Sequence, residues 1–189
     1  MKPLFSIILS CLTAAGAPPG ITVRVVNLAN IPRRTVEDAE SSAGAIFRAA
    51  GLGVIWVNCD GSNACSGQMG PAEFWLQLLD KRPGKLSENV LGFALLTNQP
   101  RNDGGYAAVT WQSVRDVVEC LNVDTVPVLG VTIAHELGHL LLGSHAHSRD
   151  GVMAAHFGRR ELGLAAHGGL RFTDAQAKAL RRFAATSSP

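Results

Sequence analysis

The stretch PVLGVTIAHELGHLLLG, from Pro127 to Gly143, constrains the fold more than any other part of the chain. Val128, Leu129, Val131, Ile133, Leu137, Leu140 and Leu141 surround most of a helical circumference. Pro127 suits a first turn, and Gly143 suits the residue just past the end, near Leu142. A helix that is apolar on every side belongs at the centre of a domain. Into this helix the sequence nevertheless sets three ionisable residues, His135, Glu136 and His139. Burying them without partners is costly, and a metal ion would be such a partner.

The spacing bears this out chemically. Two histidines four apart lie on one helical face about one turn apart, so both imidazoles can reach a single ion. Glu136 is offset by about 100° around the helix, beside the ion without ligating it, where a carboxylate can take a proton from an activated water. All six histidines fall in the last third of the chain, and four of them, His135, His139, His145 and His147, fall within 13 residues. A hydrolytic zinc keeps three protein ligands and one open position. Gly143 permits a chain reversal that brings the following residues back toward the ion. His145 follows that turn closely, whereas His147 has four residues of reach and stands six before Met153. His147 is therefore the expected third ligand, with His145 the alternative. If both bound, the zinc would be closed by four imidazoles and the protein would be a non-catalytic zinc-binding scaffold. A distant carboxylate ligand, from Glu161 or Glu119, ranks last because neither lies in the usual helical motif.

The rest of the chain reads as alternating elements. ITVRVVNL (21–28) is a β-branched strand, Thr35 is placed to cap a helix that Gly51 ends, and GVIWVNC (53–59) is a second strand. This β-α-β opening predicts a parallel pair. EFWLQLL (73–79), LGFALL (91–96) and a short segment after the turn at 100–105 add strands. An amphipathic helix carries Val114, Val117, Val118 and Leu121, and Thr173 with Gln176 forms a capping box for a last helix. The expected architecture is one α/β (α+β) domain over residues 20–189, a mixed twisted sheet packed on the buried His-Glu-x-x-His helix.

Composition limits the function classes. Of 189 residues, 47% are hydrophobic and 17% charged, which fits a folded domain, and the net charge is +2. The pairs Arg33-Arg34, Arg159-Arg160 and Arg181-Arg182 are scattered, so no continuous basic surface for nucleic acid is expected. Residues 1–17 combine Lys2, a short apolar stretch and the small residues AGA, the pattern of an export signal and too short for a bilayer-spanning helix. ILSC resembles a lipoprotein cleavage box, which would leave Cys11 acylated. Export, periplasmic or secreted, is the expectation, with a lipid anchor at Cys11 as its variant. Cys59 and Cys65 bracket a turn-rich segment and are expected to form a disulfide; Cys120, on an apolar stripe, is expected to be a buried thiol.

The block HELGHLLLGSHAHSRDGVM resembles the metzincin metallopeptidases, whose motif H-E-x-x-H-x-x-G-x-x-H precedes a methionine turn beneath the metal. Gly143 comes one residue later than in that pattern, and His145 keeps its spacing from His135. The chain more closely resembles a group of bacterial exported zinc-peptidase-like proteins, through this block, GLGVIWVNC, LGFALL and LRFTDAQAKALR. Their block reads H-E-x-G-H-L-L-L-G-x-x-x-H-S followed by G-[IV]-M, which matches His147 as third ligand. Phe157, after His156, stands where that group usually has tryptophan. The resemblance implies a zincin-like fold with a Met-turn at Met153, one catalytic Zn2+, Glu136 as general base, and a peptide or protein substrate lying along an edge strand. His156 could line the cleft, though such a histidine is more often only packed. His167 is expected to be an inert turn residue, and Tyr106 to serve the sheet more than the chemistry.

Overall fold

The β-branched run at Gly20–Asn27 forms strand β1, and Asn27 closes the turn that follows: its side chain donates to the Ile31 carbonyl (2.8 Å) and accepts from the Ile31 N–H (3.1 Å). Helix α1 (Arg33–Ala49) then leads to β2 (Gly53–Asn58), which pairs parallel with β1 from Gly20 opposite Gly53 onward. The computed structural model describes residues 19–59, 65–70, 72–84, 90–96 and 105–187. The expected signal segment 1–17 and Cys11 lie outside the described residues.

Strand β3 (Glu73–Leu79) pairs parallel with the other side of β1, and β5 (Gly105–Thr110) parallel with β3. β4 (Gly92–Leu95) is antiparallel to β5 and ends the sheet, whose order is β2-β1-β3-β5-β4. The expected mixed sheet is thus four parallel strands with one antiparallel edge. One register row, Val25, Leu76, Ala107 and Ala94, shows the pleat turning small and branched residues inward; all four are buried.

Helices α2 (Trp111–Leu121), α3 (Thr125–Leu142), α4 (Arg159–Ala166) and α5 (Asp174–Ser187) complete the chain. α3 is long and apolar enough to cross a membrane by length and composition, but 78% of it is buried inside the protein, in contact with α1, β4 and β5. It is the core helix. Gly130 allows the close approach of α1, since a Cβ there would stand 2.7 Å from Ser42 Oγ. On α5 the expected capping box is present: Thr173 N–H donates to Gln176 Oε1 (2.9 Å) and Gln176 N–H to Thr173 Oγ1 (3.3 Å).

Three details differ from expectation. α1 begins at Arg33, two residues before Thr35, because Pro32 supplies a fixed helical φ of −51° and its carbonyl takes the Thr35 and Val36 N–H groups. α4 is a helix beyond those expected; it buries Leu162 and Ala165, too little apolar pattern to stand out in the sequence. Cys120 is an exposed free thiol, not a buried one, because the stripe that carries it borders a cleft. Cys59 and Cys65 do form a disulfide, with Cα atoms 5.6 Å apart.

Candidate metal centre

His135 and His139 stand one turn apart on α3, with ring centroids 4.6 Å apart and both side chains buried. α3 ends at Gly143, whose φ of 62° and ψ of 36° are left-handed, and Ser144 N–H closes back on the His139 carbonyl at 3.2 Å. The reversed chain brings the His147 ring to 5.2 Å from His135, stacked on it, and to 5.0 Å from His139. One ring nitrogen from each of the three lies within 4.8 Å of the others, and among the described residues this is the group able to hold a metal ion. His145 is exposed, with its ring 6.0 Å from that of His139 and outside the group. Glu161 accepts from Gly158 N–H at the start of α4 (3.1 Å), and Glu119 is exposed on α2, so neither joins the histidines.

The carbonyl oxygens behind the rings fix which nitrogens face one another. His135 Nδ1 donates to the Val152 carbonyl at 2.8 Å and His139 Nδ1 to the Ser144 carbonyl at 2.7 Å. In the neutral tautomers this leaves lone pairs on both Nε2 atoms, which face each other at 3.0 Å. Burial works against a proton bridging them. Burial depresses the His135 pKa to about 4, and burial together with the neighbouring histidines lowers that of His139. Two lone pairs held face to face call for a cation, and the all-imidazole donor set suits zinc, whose ligands stand about 2.0–2.1 Å from the ion.

Val152 belongs to the turn that carries Met153. Ser148 N–H donates to the Met153 carbonyl (2.8 Å), Val152 N–H to Arg171 (3.0 Å), and Gly151 adopts φ 83°. Met153 is wholly buried beside α3. The Phe157 and His135 rings meet nearly at right angles, 86°, with centroids 5.6 Å apart, so an aromatic ring backs this histidine.

Glu136 is 5% exposed, and desolvation pushes its carboxyl up to about 8. A divalent ion beside it acts in the opposite direction. Glu136 shares a cleft of about 780 Å³ with His135, His139, His145, His147 and His156. β4 forms one wall, and the other comes from Ser113, Asp116, Val117, Cys120 and Leu121 of α2, so Cys120, expected to be buried, faces the cleft. His156 thus reaches the cleft. Tyr106 is absent from its lining and donates instead to Gln77 Oε1 (2.8 Å). His167 is exposed, and its Nδ1 donates to the Gly163 carbonyl of its own turn (2.8 Å).

No family model and no curated protein matches the chain. Solved structures do. Metalloproteinase-II from Bacteroides fragilis is 13% identical with a TM-score of 0.53 over 90% of this chain, which spans only 55% of that longer one. A zinc-dependent peptidase from Methanocorpusculum labreanum is 14% identical, with a TM-score of 0.55 over 84% of this chain and 99% of its own. An archaemetzincin from Methanopyrus kandleri is 16% identical, with a TM-score of 0.51 over 91% and 98%. At such identities the likeness is one of backbone. The chain has the mixed α/β, zincin-like fold that these peptidases share.

Proposed function

We propose that the protein is a zinc metallopeptidase, with one zinc held by His135, His139 and His147 and Glu136 as the general base. The observation that carries this reading is the convergence of three imidazoles beside a buried carboxylate in a cleft walled by a sheet edge. The fold shared with a metalloproteinase, a zinc-dependent peptidase and an archaemetzincin supports it.

When bound, zinc supplies Lewis acidity toward a carbonyl oxygen and makes a neighbouring water a stronger acid. The chain's own residues do the rest. The Val152 and Ser144 carbonyls hold the His135 and His139 rings in the tautomer that points Nε2 inward. Glu136, ionised, accepts a proton from the attacking water and returns it to the departing amine nitrogen. β4 lines the cleft and is the end strand of the sheet, so an extended peptide entering the cleft can add along its free side as a further strand. The substrate class is therefore a peptide or an unfolded stretch of a protein. Export belongs to the same reading, together with membership of the bacterial exported group and acylation of Cys11 as a variant; the Cys59–Cys65 disulfide, which persists in oxidising compartments, supports it.

The test is digestion of a broad peptide library by protein carrying one equivalent of zinc. Cleavage should vanish with a chelator and return with zinc. Stoichiometric zinc without any cleavage would favour the non-catalytic zinc scaffold, and X-ray absorption would then show four nitrogen ligands instead of three and a water.

A further inference from the structure

We propose that Gly92 is a positioning residue for Glu136: the bare backbone of β4 at this point is the wall that sets the carboxylate in place. The inference rests on the reading of Glu136 as the general base. Gly92 pairs with Val109 on β5, in the register row that faces α3. A Cβ at Gly92 would stand 2.8 Å from Glu136 Cγ, 2.9 Å from Glu136 Oε1 and 2.5 Å from the Ala108 carbonyl oxygen. Contacts that short are not tolerated, so any other residue must push the carboxylate, the strand, or both. The backbone itself does not ask for glycine here, because Gly92 is not among the residues with positive φ. Only the space does.

Glu136 depends on such a wall because, among the described residues, no hydrogen bond holds its carboxylate. Thr132, one turn earlier and in the same cleft, spends its hydroxyl on the Val128 carbonyl at 2.8 Å. Among the described residues, packing is what holds the carboxylate in place. β4 is also anchored at this point, since the Leu91 carbonyl accepts from Thr110 N–H at 2.8 Å. One strand then does two things: its free edge receives the peptide, and Gly92 fixes the base relative to that edge. The height of the scissile bond above Glu136 follows from a single rigid element.

The experiment compares Gly92→Ala, Glu136→Ala and the double variant with the parent, all loaded with zinc. Gly92→Ala should keep zinc affinity, measured by chelator competition, and KM near parental values while kcat falls by roughly tenfold or more, the scale of a misplaced catalytic group. Its Tm should also fall. Glu136→Ala removes the Cγ and Oε1 atoms that the new methyl would meet, so in the double variant about half or more of that fall in Tm should be recovered, the signature of a coupled pair. A Tm loss of equal size in both backgrounds would assign the effect to the Ala108 carbonyl and overturn the proposal, as would an unchanged kcat. If Gly92→Ala does not fold, recovery of folding in the double variant supports the contact, and failure of both variants overturns it. If the zinc-loaded parent cleaves nothing, the peptidase reading fails while the thermal coupling still decides the contact.

Discussion

Met153 packs against Gly138 of α3 so closely that a Cβ on the glycine would stand 2.5 Å from the methionine sulfur and 3.1 Å from Phe172 Cε1. The turn that carries Met153 also carries the Val152 carbonyl that orients His135. A single methyl group added inside the helix is therefore transmitted to His135, the proposed zinc ligand. Gly138→Ala should cost about 1–3 kcal/mol through overpacking and weaken zinc binding by about tenfold or more through the loosened outer support of His135. Calorimetry and chelator competition measure the two effects; an affinity equal to the parent's would show that the turn and the ligand are independent.

Glu136→Gln should retain one zinc and lose hydrolysis, since the amide keeps the size of the side chain but cannot accept the water proton. Metal analysis beside a peptide assay checks this. A variant that cleaves at the parental rate would remove Glu136 from the mechanism.

His147→Ala and His145→Ala should behave differently. Only His147 has a ring nitrogen grouped with those of His135 and His139, whereas the His145 ring stands 6.0 Å from that of His139. His147→Ala should lose most zinc affinity and all measurable cleavage; His145→Ala should retain both. Competition titration of the two variants side by side separates them, and the reverse ranking would transfer the ligand role to His145.

Glu40 makes stability depend on pH. It is 5% exposed on α1, its Oε2 accepts from Asn58 Nδ2 at 3.3 Å, and its Oε1 has no partner among the described residues. Burial raises its carboxyl from 4.5 to about 7. The folded protein thus prefers the protonated acid, so the stabilising contribution is complete below pH 4.5 and is lost as pH rises through about 7. Glu40→Gln should flatten this slope and raise stability at pH 8 by on the order of 1–3 kcal/mol, each pKa unit being worth about 1.4 kcal/mol. Urea unfolding of both proteins at pH 5 and pH 8 tests it; an equal difference between the two at both values would place the slope elsewhere.

What the sequence revealed in advance was whatever depends on near neighbours in the chain. The burial of α3 follows from apolar residues around its whole circumference, the facing of His135 and His139 from a four-residue step, and the return toward His147 from Gly143. Contacts between distant segments left no such trace. Nothing near Gly92 announces that Glu136 lies against it, and nothing in α1 marks Glu40 as buried beside Asn58. Cys120 shows a different difficulty. Val114, Val117, Val118 and Leu121 give α2 an apolar stripe, but Val117, Cys120 and Leu121 border the cleft. An apolar stripe is the same pattern whether it meets a core or a cavity, so periodicity alone assigns the thiol to the wrong side.

The eighteen residues of α3 also set the terms on which the chain can fold. Strands β1, β3 and β5 pair in parallel, and each of these pairings joins segments far apart in the chain, as when Thr22 meets Glu73. Long-range parallel pairing is slow compared with helix formation. Until it is complete, α3 offers its apolar surface to other molecules as readily as to its own sheet, which invites aggregation at micromolar concentrations. Refolding is therefore a race between closure of the sheet and self-association, and only the molecules that win it bring His147 to the two histidines of the helix.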